Sequence, residues 1–179
     1  VISLWDEVHG ADFGDKRLNH RFGRIVEELG DSPNLSIPAA TEGRAEMEAA
    51  YRFFDNKKVS PERILSPHIQ ATRERISQTD FTLLVQDTTE VDVTRPNQQV
   101  EGAGPMDSDK RRGEFLHPLK AFTLDGLPLG TAWQKSWTRD KLDTDLTAAE
   151  KNQKRKHTPI EAKESIRWVE GVRAALEVA

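Results

Sequence analysis

The apolar pattern of this chain changes period near residue 80 and changes back near residue 159. Through residue 79 the hydrophobic residues recur every three or four positions, the spacing of a helix with one buried face. From 81 to 139 they fall into short β-rich runs separated by Gly- and Pro-bearing loops, and helical spacing resumes over 159–178. Such a pattern admits an α+β fold, with helices before an antiparallel sheet and one helix after it. The 179 residues give room for one full domain or two small ones, and the change of period sets these at 1–79 and 80–179.

Leu18, Phe22, Ile25, Val26 and Leu29 predict a helix over 16–29, ended by Gly30-Asp31-Ser32-Pro33. Lys16, Arg17, Arg21 and Arg24 share its other side, either as a solvated face or as a ridge that follows DNA phosphates. A second helix over 43–54 carries Tyr51, Phe53 and Phe54, with Arg52 among them as a snorkelling core-edge residue or a DNA contact. A third opens on Ser60 as N-cap, Pro61 at the first helical position and Glu62 favouring the helix dipole. Residues 1–80 hold 11 basic and 14 acidic side chains, so any DNA face there must be a segregated stripe.

Phe81–Val85 reads as a central, buried strand that presents Asp87 at its C-terminal end. A carboxylate held there suits a hard cation; the alternative is a turn aspartate bonded to Thr88 or Thr89. Glu90 and Asp92 lie an odd number of residues from Asp87, hence on the opposite face of a continuing strand. Thr94–Gly113 reads as a long loop. Strands over 115–124 and 128–137 meet at the Asp125-Gly126 turn. Residues 140–158 read as a polar linker with a basic end, and a last helix starts at Pro159 with Thr158 as its cap.

With no cysteine, the chain has no disulfide, thiolate metal site or cysteine nucleophile. A net charge of −4 excludes a uniformly basic nucleic-acid binder but not a local basic face. No apolar run reaches the ~18 residues of a membrane span. The five histidines lack metal-ligand spacing, and no Gly-rich phosphate loop is present. The first residue is Val1, and the helical pattern of Ala174–Ala179 runs to the last position, as expected of a piece of a longer polypeptide.

An ordered set of fragments resembles the N-terminal part of the Asp-Asp-Glu transposases of the insertion-sequence-four group. The set comprises Trp5-Asp6-Glu7, Phe13 to Leu18, Ser36-Ile37-Pro38, Ala50 to Asn56, Gln86-Asp87-Thr88-Thr89, Gly102 to Pro105, Arg112-Gly113, His117, Gly126 to Gly130, Trp137, Lys163-Glu164-Ser165 and Trp168. The resemblance implies a small helical domain that recognises transposon ends, followed by the first antiparallel strands and helix of a ribonuclease-H-like core. It implies Asp87 as the first of three catalytic, metal-binding carboxylates, with the second Asp and the Glu beyond residue 179. It further implies DNA contacts from Lys16, Arg17, Arg21, Arg24, Arg52, Lys57, Lys58, Arg112 and His117.

The activity so implied is metal-assisted cleavage and joining of DNA by the complete enzyme, using Mg²⁺ or Mn²⁺. Its partners are double-stranded transposon ends and target DNA, it acts as a homodimer without membrane attachment, and it works in the bacterial cytoplasm at the nucleoid. By itself this chain is expected to be inactive and to bind no metal, and its partial sheet is expected to have an open edge and a half-covered face. Two rival readings are a non-catalytic DNA-binding module, such as a truncated repressor or dimerisation partner, and an α+β protein unrelated to DNA.

Overall fold

Five helices arise from the first part of the chain: α1 (Leu4–Val8), α2 (Lys16–Asp31), α3 (Ile37–Ala40), α4 (Arg44–Phe54) and α5 (Pro61–Ser77). The computed structural model describes residues 3–108, 110–140, 142 and 146–178. The expectations drawn from Val1 and Ala179 lie outside the described residues. The chain forms two compact units, Val1–Arg75 and Ile76–Ala179.

In the first unit, α2 and α4 start and stop close to where their apolar spacing predicts. Asp15 caps α2 by accepting from the Arg17 amide, and Gly43 precedes α4. The short helices α1 and α3 were not foreseen, because neither is long enough to show a period. The signal for α1 is a capping box: the Ser3 side chain accepts from Trp5 N, and the Asp6 side chain accepts from Ser3 N.

The core of this unit is aromatic. Phe13, Phe22 and Phe53 are buried, with ring centroids 5.2–5.7 Å apart. Val8, Ala11, Ile25 and Ala50 complete the cluster. Trp5 lies directly on α2 at Gly23, where an added Cβ would stand 1.8 Å from Trp5 Cζ3. A carboxylate hub fastens α1 to α5. Arg75 donates to both oxygens of Glu7, at 2.9 and 2.8 Å, and His68 Nδ1 lies 2.6 Å from Glu7 Oε1. The Arg75 hydrogen bond, opposed by burial, holds the Glu7 carboxyl below its ordinary pKa.

The second unit is built on an antiparallel sheet of β1 (Leu83–Gln86), β2 (Thr89–Asp92), β3 (Gly104–Pro105), β4 (Arg112–Phe122) and β5 (Pro128–Trp137). Here the expectation of a central, buried first strand is corrected. The central strand is β4, flanked by β1 and β2 on one side and β5 on the other, while Leu83 and Val85 in β1 are 46% and 51% exposed. The β-rich run does form a strand, β1. An apolar strand with one face uncovered has the same composition as a buried one, so sequence could not separate them.

β1 and β2 form one line on β4. Leu83 pairs with Phe122, Gln86 with Leu119, Thr89 with Leu116 and Asp92 with Gly113, a single unbroken register. The ladder is interrupted at Asp87 and Thr88. In that register Pro118 stands opposite Asp87, and proline has no amide hydrogen to donate.

Alternation along β4 buries Gly113, Phe115, His117, Leu119 and Ala121 on one face, which α7 (Ile166–Val178) covers. Leu119 and Ala121 pack there with Ala132, Leu129, Ala174 and Ile76. Leu83, Val85 and Val91, exposed, share the other face with Asp87.

Residues 140–158 correct the linker expectation. Ala148–His157 form α6, opened by a capping box in which Thr147 accepts from the Glu150 amide and Glu150 accepts from Thr147 N. Thr158 is the C-cap of α6 rather than the N-cap of the last helix. A 3₁₀ turn, Ile160–Ala162, then precedes α7. α6 buries no residue, so it lacked the apolar stripe by which a helix is read. Among the described residues no helix is long and apolar enough to cross a membrane.

Candidate nucleic-acid interface and the Asp87 strand

The basic residues expected to meet DNA fall into two groups. Arg21 and Arg24 are held within the protein, because both pair with Glu46 of α4 and Arg24 also reaches Glu28 at 3.5 Å. These contacts bind α2 to α4 and leave the two guanidinium groups partly covered. The others face water. Lys16, Arg17, Arg52, Lys57 and Lys58 are exposed, with the Arg17 and Arg52 side chains at 92% and 72%. Arg52 is therefore a surface residue and not a core-edge one; its loose partner is Glu48 at 3.9 Å.

Tertiary structure joins the start of α2 to the turn after α4. Lys58 Nζ reaches the Gly14 carbonyl at 3.5 Å, and Arg63 Nη1 donates to the Lys58 carbonyl at 3.2 Å. Lys58 thus packs against the turn that opens α2, three residues before Arg17, and Arg63 reaches back to Lys58 from the first turn of α5. Asp15 lies among them, its carboxyl held below the ordinary range by hydrogen bonds from Arg17. Arg63 was absent from the set implied by resemblance; it stands five residues from Lys58 and reaches that residue's carbonyl. At the end of α4, Tyr51 and Phe54 are exposed beside Arg52.

In the second unit Asp87 is exposed at the end of β1, and its Oδ1 accepts from the Thr88 amide at 2.7 Å. His117 lies on the other face of the sheet and is fully buried. Burial takes it out of any surface that DNA could touch, which corrects its place among the expected DNA contacts. Its ring instead grips the two neighbours of Asp87. Nδ1 lies 2.7 Å from Thr88 Oγ1, and Nε2 lies 3.1 Å from Gln86 Oε1.

The tautomer follows from these partners. Gln86 Nε2 donates to the Trp168 carbonyl at 3.3 Å, so the Gln86 oxygen faces the imidazole. His117 Nε2–H then donates to that oxygen, and Nδ1 accepts from the Thr88 hydroxyl. Trp133 and Trp168 meet the ring edge-on at 6.2 and 5.0 Å. Burial lowers the His117 pKa and outweighs the nearby Asp87 and Glu170 carboxylates, while Arg167 lowers it further. The neutral ring is a positioning group for the Gln86–Thr88 segment.

Glu90 and Asp92 are turned away from Asp87. They share the guanidinium of Arg111 with Asp107, at 3.1, 3.0 and 3.1 Å. Hydrogen bonds from Thr94, then Arg111, bring Asp92 down to about 2. Among the described residues no group of three or more His, Asp or Glu side chains could hold a metal ion. Arg112 lies at the start of β4, half-buried, away from Asp87 along the strand.

Glu164 is a second buttress. It receives Arg139 Nε and Nη2 at 2.6 Å each, and Arg139 also stacks 4.1 Å over the Phe115 ring. That pairing fixes the approach to α7 against β4 and β5.

The structure therefore defines an α+β protein with a helical unit bearing an exposed cationic surface and a sheet unit bearing an exposed strand-end carboxylate. Residues 4–59, less than a third of the chain, match the family model described as transposase DNA-binding. The match begins with α1 and ends one residue before the Ser60 that opens α5. It supports a transposase, with DNA as the partner of the helical unit.

Proposed function

We propose that this chain is the N-terminal part of an Asp-Asp-Glu transposase of the insertion-sequence-four group, and that it grips transposon-end DNA through the surface made by Arg17, Arg52, Lys57, Lys58 and Arg63. The observation that carries the reading is the contact of Lys58 with Gly14, which brings the turn after α4 to the start of α2 that bears Arg17, with Arg63 beside Lys58, inside or next to the matched span. Cations on a duplex release counterions from its phosphates, so affinity falls steeply with salt. The exposed Tyr51 and Phe54 add apolar contact beside these charges. Arg21 and Arg24 serve this surface indirectly, by holding α2 and α4 together through Glu46.

The sheet unit is proposed as the first part of a ribonuclease-H-like core. The order β1, β4, β5 with α7 on one face, and the uncovered apolar face around Asp87, support that reading. When bound, a divalent ion would supply Lewis-acid stabilisation for phosphoryl transfer. Mg²⁺ needs several oxygen ligands, and the described surroundings offer the single exposed Asp87 carboxylate. These residues by themselves do not fit a magnesium site. Asp87 is proposed as one ligand, with the remaining carboxylates supplied from beyond residue 179. This chain's own part is to hold that carboxylate at a fixed strand end, through His117 on Gln86 and Thr88. Homodimerisation on paired ends and action at the nucleoid belong to the same proposal.

Fluorescence anisotropy with a labelled terminal-repeat duplex tests the DNA surface. Replacing Arg17, Arg52 and Lys58 together by Gln should weaken binding and lower the salt slope by up to about 3, at roughly one per phosphate contact. Unchanged affinity and slope would refute the proposed surface.

A further inference from the structure

We infer that the loop 93–100 and the start of β4 form a binding pocket for a phosphate group. The loop is folded back on β4 by Val93 N donating to the Arg112 carbonyl and Arg112 N donating to Thr94 Oγ1, both at 2.9 Å. Between them lies a concave pocket of about 270 Å³. Its walls carry three cations, Arg95, Lys110 and Arg112, together with the amide side chains of Asn97, Gln98 and Gln99. Among the described residues none of the lining side chains is acidic.

The charge separation here is specific. The nearby carboxylates of Glu90, Asp92 and Asp107 are all taken by Arg111, which leaves Arg95, Lys110 and Arg112 without an ion pair among the described residues. Arg112 adds an independent sign of a missing acceptor. Its Nε is shut off from solvent and has no hydrogen-bond partner. That N–H lost its water on folding without gaining an acceptor, and it belongs to a side chain that lines the pocket. Three cations and several amide donors around one concavity suit a compact oxyanion with many acceptor positions, which is the chemistry of a phosphate group. The group could belong to a DNA backbone or to free phosphate; both present the same oxygens. The inference concerns the sheet unit alone and stands apart from DNA binding by the helical unit.

Two-dimensional amide NMR of the full chain provides the test, with inorganic phosphate titrated against chloride at matched ionic strength and, separately, a short duplex DNA. The expected result is saturable shifts of the 94–100 and 110–112 amides. Arg112→Gln, and the exposed and therefore fold-neutral Arg95→Gln, should each weaken the response about tenfold, the loss of one charged hydrogen bond. Shifts produced by the duplex and weakened about tenfold by Arg95→Gln identify a DNA phosphate as the ligand. Shifts produced by inorganic phosphate alone identify free phosphate. If neither ligand moves these amides, or if Arg95→Gln leaves the titration unchanged, the pocket is not a phosphate site. Duplex-induced shifts confined to residues 4–59 would overturn the DNA source while leaving the helical interface intact.

Discussion

His117→Ala tests the idea that one buried imidazole holds the Asp87 strand end in place. The substitution removes two hydrogen bonds, to Thr88 Oγ1 and Gln86 Oε1. At about 1 kcal/mol each, that is ~2 kcal/mol. Edge contacts with Trp133 and Trp168 add roughly 1 kcal/mol, giving a loss of about 3 kcal/mol. In a unit of this size, 1 kcal/mol moves Tm by ~4–8 °C, so its transition should fall by about 12–24 °C in differential scanning calorimetry. A pH series supplies the second readout. Burial lowers the His117 pKa below its ordinary 6.5, so the unfolded chain takes up the proton first as pH falls. The contribution is fully present above about 6.5 and is lost on acidification towards the lower folded value. His117→Gln cannot titrate and should flatten the stability profile across that window. A Tm within ~2 °C of wild type for His117→Ala, or an undiminished acid dependence in His117→Gln, would refute the clamp.

Three further outcomes follow from the packing. Gly23→Ala pushes a methyl into the Trp5 ring; about 1–3 kcal/mol of overpacking exceeds the ~1 kcal/mol gain in helix propensity, so the helical unit should melt several degrees lower by circular dichroism. Glu7→Gln breaks the paired bonds to Arg75 at a cost of ~1–3 kcal/mol. Because the folded Glu7 pKa is lowered, that stabilisation is present above about 4.5 and disappears as pH falls through the folded value; acid titration of the variant should lack this step. Arg139→Lys keeps the charge but loses the two-point grip on Glu164 and the stack on Phe115, so urea unfolding should show a loss of about 1–2 kcal/mol; an unchanged midpoint would show that charge alone suffices.

What could be read from the sequence was local. Leu18, Phe22 and Ile25 specify α2 because helical period is a short-range property, and Ser60-Pro61 marks the start of α5 for the same reason. Asp125-Gly126 places the β4–β5 turn, since Gly126 takes the positive φ of +87° that the chain reversal needs. The end of β1 before Asp87 was legible as well. α6 was missed even though Thr147 and Glu150 spell a capping box, because its faces are polar all round.

The remainder lies in pairings between distant residues. Sequence alone could not tell that Glu46 engages Arg21 and Arg24, that Lys58 reaches Gly14 at the start of α2, or that Arg111 gathers Glu90 and Asp92. A charge pattern records where cations stand along a helix but not which carboxylate arrives from another element. His117 shows the same limit: alternation in β4 gives it a face, and only the arrival of α7 buries that face. The amino-acid order thus determined the helices, the hairpin and the strand end that carries Asp87, because each depends on neighbours within a turn or two. The tertiary structure decided which cations remain free for DNA and what holds the Asp87 strand, because both depend on contacts between segments tens of residues apart.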